Sequence, residues 1–271
     1  MSKGILCVFV SSLFFMMGLV STAHAQVKIA AKYVVPKDKK DMTTEQYYTS
    51  VKLDAAKAYS ESLELQKQGK WLEASRYLRK CLVIRNYFVD TDKEIPALKQ
   101  KLGEVLVKAG KSEDALQVFG EAIGGFARWY GPGCSQSIAP LTATGDVYME
   151  RSNFPKALSY YNQAYAMSQR NTGPNSVECM KLRLKLADAN KGAAQLEPAA
   201  ALYKECLERQ QKNEKLIEKA QLYSLLQNYG AVLKELKKDD ESQSVLSRAA
   251  ELNSGKPASE SVPIGSPAAS K

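Results

Sequence analysis

Histidine is almost absent from this sequence of 271 residues, and the single one, His24, lies within the first 25 positions. Those positions have the pattern of an export signal, so the chain left after cleavage has no histidine. Without imidazole the protein cannot build a Ser-His-Asp or Cys-His pair or a histidine metal site. We therefore predict a protein that is not an enzyme, with no catalytic residues, no metal site and no cofactor. Catalysis by carboxylates alone stays open.

Long apolar runs are also scarce. The run ILCVFVSSLFFMMGLV follows the basic Lys3, and the small residues of AHA at 23–25 give a cleavage pattern before Gln26. The run is shorter than the roughly 20 residues of a typical membrane-spanning helix. We predict a signal peptide over 1–25 and a periplasmic or secreted protein with no stable membrane span after cleavage. The alternative is an uncleaved membrane anchor.

Acidic residues are fewer than basic ones, and the formal net charge is +9. Part of this excess lies in a lysine-rich leader predicted over 26–43, where KIAAKYVVPKDKKD has five lysines against two aspartates. A nucleic-acid interface needs basic residues gathered on a folded face, so we expect no nucleic-acid partner. At the other end, residues 254–271 are rich in Ser, Pro and Ala, which predicts a disordered tail.

A complete phosphate-binding loop is missing too. Gly110-Lys111-Ser112 resembles the end of one, but Val105 stands where the motif needs a glycine. The segment is instead one of five similar copies, which align on a reference column of Ala74, Ala115, Ala157, Ala199 and Ser242. The steps between these positions are 41, 42, 42 and 43 residues. A period in this range indicates stacked helical or strand units.

Each copy carries further residues at fixed distances from the reference column. Four residues after it is a large column: Leu78, Phe119, Tyr161, Tyr203 and Leu246. Twelve residues before it is a small column: Ser62, Gly103, Gly145, Ala187 and Gly230. A small residue also comes seven positions after it, and spacings of 0, +4 and +7 lie on one face of a helix. Each copy is therefore predicted to be two antiparallel helices, with a turn marked by Gly69, Gly110 and Gly192 or by the N-caps Asn153 and Asp239.

These columns resemble the Gly-Ala-aromatic-Ala signature of the tetratricopeptide repeat (TPR), and the long period resembles the kinesin-light-chain type. The column of the usual first-helix tryptophan holds other residues here: Ala58, Lys99, Leu141, Arg183 and Leu226. The resemblance implies an all-α fold, an α-solenoid of about five antiparallel helix pairs over 44–253. The repeat cores are expected at about 55–88, 96–129, 138–171, 180–213 and 223–253.

The resemblance also implies a concave groove lined by the first helices, which binds a protein or peptide partner. Groove positions are expected one residue after the small column, where three carboxylates stand in register: Glu104, Asp146 and Asp188. Asn228 is a fourth groove candidate. The hypothesis is an acidic ladder that receives a basic or hydroxyl-rich partner, and the alternative is that these carboxylates are solvated or pair with nearby lysines. An exported interaction scaffold is thus predicted, with a glycan- or cell-wall-binding accessory or a carboxylate-dependent envelope enzyme as alternatives.

Four cysteines remain after the predicted signal peptide. Cys81 and Cys206 lie in a small packing column, which predicts buried free thiols. Cys134 and Cys179 lie near the starts of neighbouring first helices, offset by about one helical turn once a repeat is subtracted. An oxidising compartment would permit a disulfide between them if their Cα atoms lie within about 7 Å.

Overall fold

The computed structural model describes residues 41–86, 93–213 and 216–254. The predicted signal peptide, nearly all of the lysine-rich leader and the predicted tail from residue 255 onwards lie outside the described residues.

Ten α-helices make up the described part of the chain, and consecutive helices form five antiparallel pairs, here called units 1 to 5. The helices are α1 (Thr44–Lys67) and α2 (Trp71–Asn86), α3 (Ile95–Lys108) and α4 (Ser112–Tyr130), α5 (Ile138–Glu150) and α6 (Phe154–Thr172), α7 (Val177–Gly192) and α8 (Leu196–Lys212), and α9 (Lys219–Glu235) and α10 (Asp239–Ser254). Strands are absent from this part of the chain, and a single 3-10 turn over Ser135–Ser137 precedes α5. The all-α solenoid of five pairs predicted from the sequence is confirmed.

The two helices of a unit approach closely where the small column meets the large column. A Cβ added to Gly103 would overlap the Phe119 ring, and one added to Gly145 would overlap the Tyr161 ring. The reference alanines are fully buried in this contact, each 0% exposed, in units 1 to 4. The equivalent positions therefore have equivalent surroundings, which is what an array of repeats requires.

Serine replaces an apolar small residue at both ends of the array. In unit 1 the Ser62 hydroxyl donates a hydrogen bond to the Ala74 carbonyl at 2.9 Å, and in unit 5 the Ser242 hydroxyl donates to the Gly230 carbonyl at 2.8 Å. These bonds satisfy buried hydroxyls and join the same two columns that pack together in the other units.

The turn inside each unit has one conformation throughout the array. The residue five positions before the reference column has a left-handed backbone, with φ of 71° at Gly110, 54° at Ser152 and 56° at Ala194. In unit 2 the Gly110 N–H donates to the Val107 carbonyl and the Lys111 N–H donates to the Leu106 carbonyl. The same two bonds recur in all five units. This pair of bonds is the Schellman motif, which satisfies the last carbonyls of the first helix.

This turn corrects part of the sequence prediction. Gly192 does not form the turn, because it is the last residue of α7, where an added Cβ would overlap the Phe154 ring, and Ala194 has the left-handed conformation instead. Asn153 caps α6 as predicted, since its side chain accepts from the Lys156 N–H. Asp239 is not a cap but the first residue of α10, because the Schellman bonds already place Lys238 at the cap position.

Cysteine packing agrees with the sequence interpretation in units 1 and 4. Cys81 and Cys206 are both buried, and burial raises the pKa of the Cys206 thiol to about 12. Across the described ranges, we find no helix that combines the length and the apolar character needed to cross a membrane.

Replacing Ala194 by Gly is expected to raise the free energy of unfolding by about 0.5–1 kcal/mol, because it removes a Cβ from a left-handed backbone. Gly110→Ala should lower it by about 1 kcal/mol, although nothing lies within 4 Å of the added Cβ. The matched control is Ala193→Gly, since Ala193 has a right-handed backbone with φ −78°. Urea unfolding followed by circular dichroism measures all three, and equal effects of Ala194→Gly and Ala193→Gly would contradict the assignment.

Gly103→Ala is expected to destabilise the protein by about 1–3 kcal/mol, because the new methyl overlaps the Phe119 ring in a packed interface. Gly120→Ala is the control: Gly120 is an exposed residue of α4 with no atoms within 4 Å of an added Cβ. That change should stabilise by about 0.5–1 kcal/mol through helix propensity. Thermal unfolding of both variants tests whether the small column is held by close packing, and a harmless Gly103→Ala would show that it is not.

Candidate functional site: a row of carboxylates on the first helices

The three predicted carboxylates occupy equivalent places on successive first helices. Glu104 lies on α3, Asp146 on α5 and Asp188 on α7, each directly after a residue of the small column. The side chains of Glu104 and Asp146 are 40% and 42% exposed. We call these three residues the carboxylate row. Each is partly open to solvent and close to other polar side chains, so the neighbours decide what the row can bind.

Asp146 is bound by donors from two other helices. The Tyr161 hydroxyl of α6 donates to its carboxylate at 2.5 Å, and Lys185 Nζ of α7 donates to the same oxygen at 2.6 Å. Tyr161 belongs to the large column of the same unit, whereas Lys185 belongs to the next unit. This carboxylate therefore links the two helices of unit 3 to unit 4.

Asp188 repeats this arrangement one unit further along. The Tyr203 hydroxyl of α8 donates to its carboxylate, and Asn228 Nδ2 of α9 donates to the same oxygen at 3.0 Å. Asn228 in turn accepts a hydrogen bond from Lys191 Nζ at 3.0 Å. Two of the predicted groove residues, Asp188 and Asn228, are thus in direct contact across the boundary between units 4 and 5.

Glu104 has a different set of partners. It accepts from Gln100 Nε2 at 3.0 Å and pairs with Lys101 Nζ at 3.5 Å, and both partners lie on its own helix. The large column of its unit holds Phe119, which has no hydroxyl. Lys108, another lysine of α3, places its Nζ 4.5 Å from the centroid of the Trp71 ring.

The two tyrosines that bind the carboxylate row, Tyr161 and Tyr203, act as hydrogen-bond donors. Burial raises the pKa of Tyr161 well above its usual value, and the hydrogen bond to Asp146 raises it further. Burial also raises the pKa of Tyr203, to which the charge of Asp188 adds. The phenols therefore keep their protons at all ordinary pH values and act as donors to the neighbouring carboxylates.

A cavity of about 360 Å3 lies between α7 and α9, beside the contact of Asp188 with Asn228. Its lining includes Lys181, Leu184, Lys185, Tyr203, Ser224 and Leu225. The mixture of aliphatic surface with amine, hydroxyl and amide groups suits a side chain or a short peptide segment rather than a purely apolar ligand.

The sequence interpretation missed the tyrosine donors. Tyr161 and Tyr203 were identified only as members of the large column, yet each also lies 15 residues after the carboxylate that it binds. The signal was present in the large column, because a tyrosine in place of phenylalanine adds a hydroxyl that must find a partner once it is buried.

The sequence interpretation also missed two ion pairs, one inside unit 2 and one inside unit 4. Lys99 Nζ lies 2.8 Å from Glu121, and Arg183 Nε lies 3.2 Å from Glu205. Both basic residues occupy the column that holds tryptophan in the family. The hydrogen bond from Lys99 lowers the pKa of Glu121. Arg183 is only 1% exposed, and its Nη2 also donates to the Tyr165 hydroxyl at 2.6 Å.

Cys134 and Cys179 are free thiols in the structure. The Cys134 sulfur lies 3.3 Å from the Ser137 hydroxyl, and the Cys179 thiol donates to the Ser168 hydroxyl at 3.2 Å. Each sulfur thus faces a serine, and the disulfide considered from the sequence is not formed. Within the described residues, His, Cys, Asp and Glu side chains form no group that could hold a metal ion.

Comparison with protein-family models gives a match to the tetratricopeptide repeat over residues 136–212, which covers units 3 and 4. No curated protein matches the sequence significantly.

Solved structures show the same fold over more of the chain. BtubC (BKLC) from P. vanneervenii is 16% identical, with a TM-score of 0.66 over 83% of this chain and 96% of its own. A kinesin-light-chain protein of Podosopora anserina with nearly identical TPR-like repeats, a Q17M variant, is 15% identical, with a TM-score of 0.63 over 74% of this chain and 94% of its own. MamA from Desulfovibrio magneticus RS-1 is 15% identical, with a TM-score of 0.57 over 74% and 96%.

The repeat match and the structural neighbours agree with the five helix pairs and with the close contact of small and large columns. The chain is therefore a TPR-type protein with an α-solenoid fold.

Proposed function

We propose that this protein is an exported, non-catalytic scaffold that holds a protein or peptide partner against its first helices, in the concave groove of the solenoid. The observation that carries the proposal is the row of half-exposed carboxylates at equivalent positions of α3, α5 and α7. A rigid periodic row of polar groups matches the periodic backbone and side chains of an extended or helical partner.

Preorganisation supports this function. Asp146 and Asp188 are each fixed by a tyrosine from their own unit and by a donor from the next unit. Side chains that are already ordered lose little conformational entropy when a partner binds. The cavity between α7 and α9 adds a recess for one side chain of the partner beside this row.

The same contacts favour binding over catalysis. Acid–base catalysis of glycan hydrolysis needs two carboxyl groups at a defined separation, one of them protonated. Here the carboxylates belong to successive repeats, and Asp146 already accepts hydrogen bonds from Lys185 and Tyr161. The capture experiment on the carboxylate row therefore includes the glycan-binding and enzymatic alternatives as competing outcomes.

Neutralising the row with Glu104→Gln, Asp146→Asn and Asp188→Asn together is expected to reduce capture of the partner at least tenfold, because it removes three charged acceptors with little change in shape. The measurement is affinity capture by the mature chain from the envelope fraction of its own cells, quantified by mass spectrometry. The control replaces three exposed acids of second helices with glutamine: Glu73, Glu197 and Glu208. It makes the same change in net charge, and it should leave capture unchanged.

Equal loss in the row variant and in the control would show that only net charge matters and would contradict a groove site. Capture of wall polymer instead of protein, or release of sugar from it, would favour the glycan alternatives. Unfolding curves of both variants separate loss of the site from loss of the fold.

Export is expected to depend on residues 1–25. Residues 1–30 fused to alkaline phosphatase, which is active only outside the reducing cytoplasm, should give an active reporter, and deletion of residues 5–20 should abolish its activity. Terminal sequencing of the exported full-length protein should begin at Gln26. An intact N-terminus on a membrane-bound protein would instead identify an uncleaved anchor.

A further inference from the structure

The donor that reaches each carboxylate from the next unit comes from one column of the repeat. This donor column lies 14 residues before the reference column, and it contains Ser60, Lys101, Ala143, Lys185 and Asn228. Lys185 donates to Asp146 and Asn228 donates to Asp188, over sequence separations of 39 and 40 residues. The structure therefore shows the same contact twice, once with an ammonium group and once with an amide.

At Glu104 this contact is missing. The donor-column residue of the next unit is the partly buried Ala143, whose methyl group donates nothing. The tyrosine hydroxyl is missing as well, because unit 2 has Phe119 in the large column. Of the three members of the row, Glu104 alone lacks both donors that hold the other two.

The partners that remain for Glu104 lie on its own helix, and one of them, Gln100 Nε2, donates to it at 3.0 Å. Lys101 lies 3.5 Å away on the same helix, and both side chains are 40% exposed. Exposed ion pairs between neighbouring residues of one helix contribute little. Lys101 is itself a donor-column residue, but the corresponding position in unit 1 is Leu63, which offers no acceptor. Lys101 therefore pairs with Glu104 on its own helix.

We propose that Glu104 and Ala143 form a subsite for a lysine or arginine side chain of the partner, which takes the place that Lys185 has beside Asp146. Charge selects the occupant: the carboxylate side chain of Glu104 is 40% exposed, and Ala143 is a small residue at the position where the next units carry Lys185 and Asn228. The aliphatic part of a lysine or arginine would cover Ala143 while its charged end reaches Glu104. This inference rests on the proposed function, because it assigns one contact within the same groove.

The test uses dodecapeptides selected by phage display on the mature chain, then labelled with fluorescein and titrated by anisotropy at about physiological salt. We expect selected peptides to share a lysine or arginine. Their Kd should rise about tenfold with Glu104→Gln, which removes the acceptor charge. It should rise similarly with Ala143→Lys, which supplies the donor internally. Glu73→Gln, on an exposed position of α2, is the matched control and should not change the Kd.

Replacing the shared lysine of a selected peptide by norleucine should weaken binding to the wild-type chain about tenfold and leave binding to the E104Q variant unchanged. Peptides that bind all variants equally would overturn the subsite and leave the scaffold function standing. Failure to select any peptide above a control helical protein would overturn the scaffold function together with the subsite.

A second measurement needs no peptide. Ala143→Lys should raise the Tm by about 2 °C in the wild-type background, because the new ammonium group pairs with Glu104, and should not raise it in the E104Q background. Equal shifts in both backgrounds would show that position 143 does not face Glu104, which would also overturn the subsite.

Discussion

The close contact between the small and large columns is the constraint on which the rest of the structure depends. A glycine or other small residue on the first helix lets the large side chain of the second helix pack directly against its backbone, as Phe119 does at Gly103. This contact fixes the distance and the register of the two helices in every unit. One helix pair cannot bury its apolar faces alone, so the units stack. Every unit of the array then has the same register between its two helices.

The row of carboxylates follows from that register. Each member comes directly after the small column, so a fixed contact within each unit places Glu104, Asp146 and Asp188 at matching positions on neighbouring first helices. Small changes in the packing residues then alter the chemistry without altering the fold. Tyr161 fills the same space as Phe119, but it adds a hydroxyl that binds Asp146. The donors that reach Asp146 and Asp188 from other helices thus come from two columns, the large column and the donor column.

The sequence predicted the helix pairs because their signal is local and repeated five times. It predicted the turn at Gly69 and Gly110 but missed the turn residue Ala194, since the Schellman bonds depend on position and are formed whatever the residue. The carboxylates themselves were found from their register. The sequence left open which of several lysines pairs with each carboxylate. A contact such as that of Lys185 with Asp146 depends on how the units stack, and spacing along the chain does not fix the stacking.

The ion pairs of units 2 and 4 affect which first helix pairs with which second helix. The packing columns are nearly interchangeable among units, so apolar contact alone discriminates poorly between right and wrong pairs. A buried guanidinium is costly unless it is paired, and Arg183 meets an acid at Glu205 of α8. The corresponding residues of units 1 and 5 are Lys80 and Arg248, which would place like charges together if α7 paired with either second helix. The polar residues that replace the tryptophan of the family therefore add pairing specificity that the apolar columns do not supply.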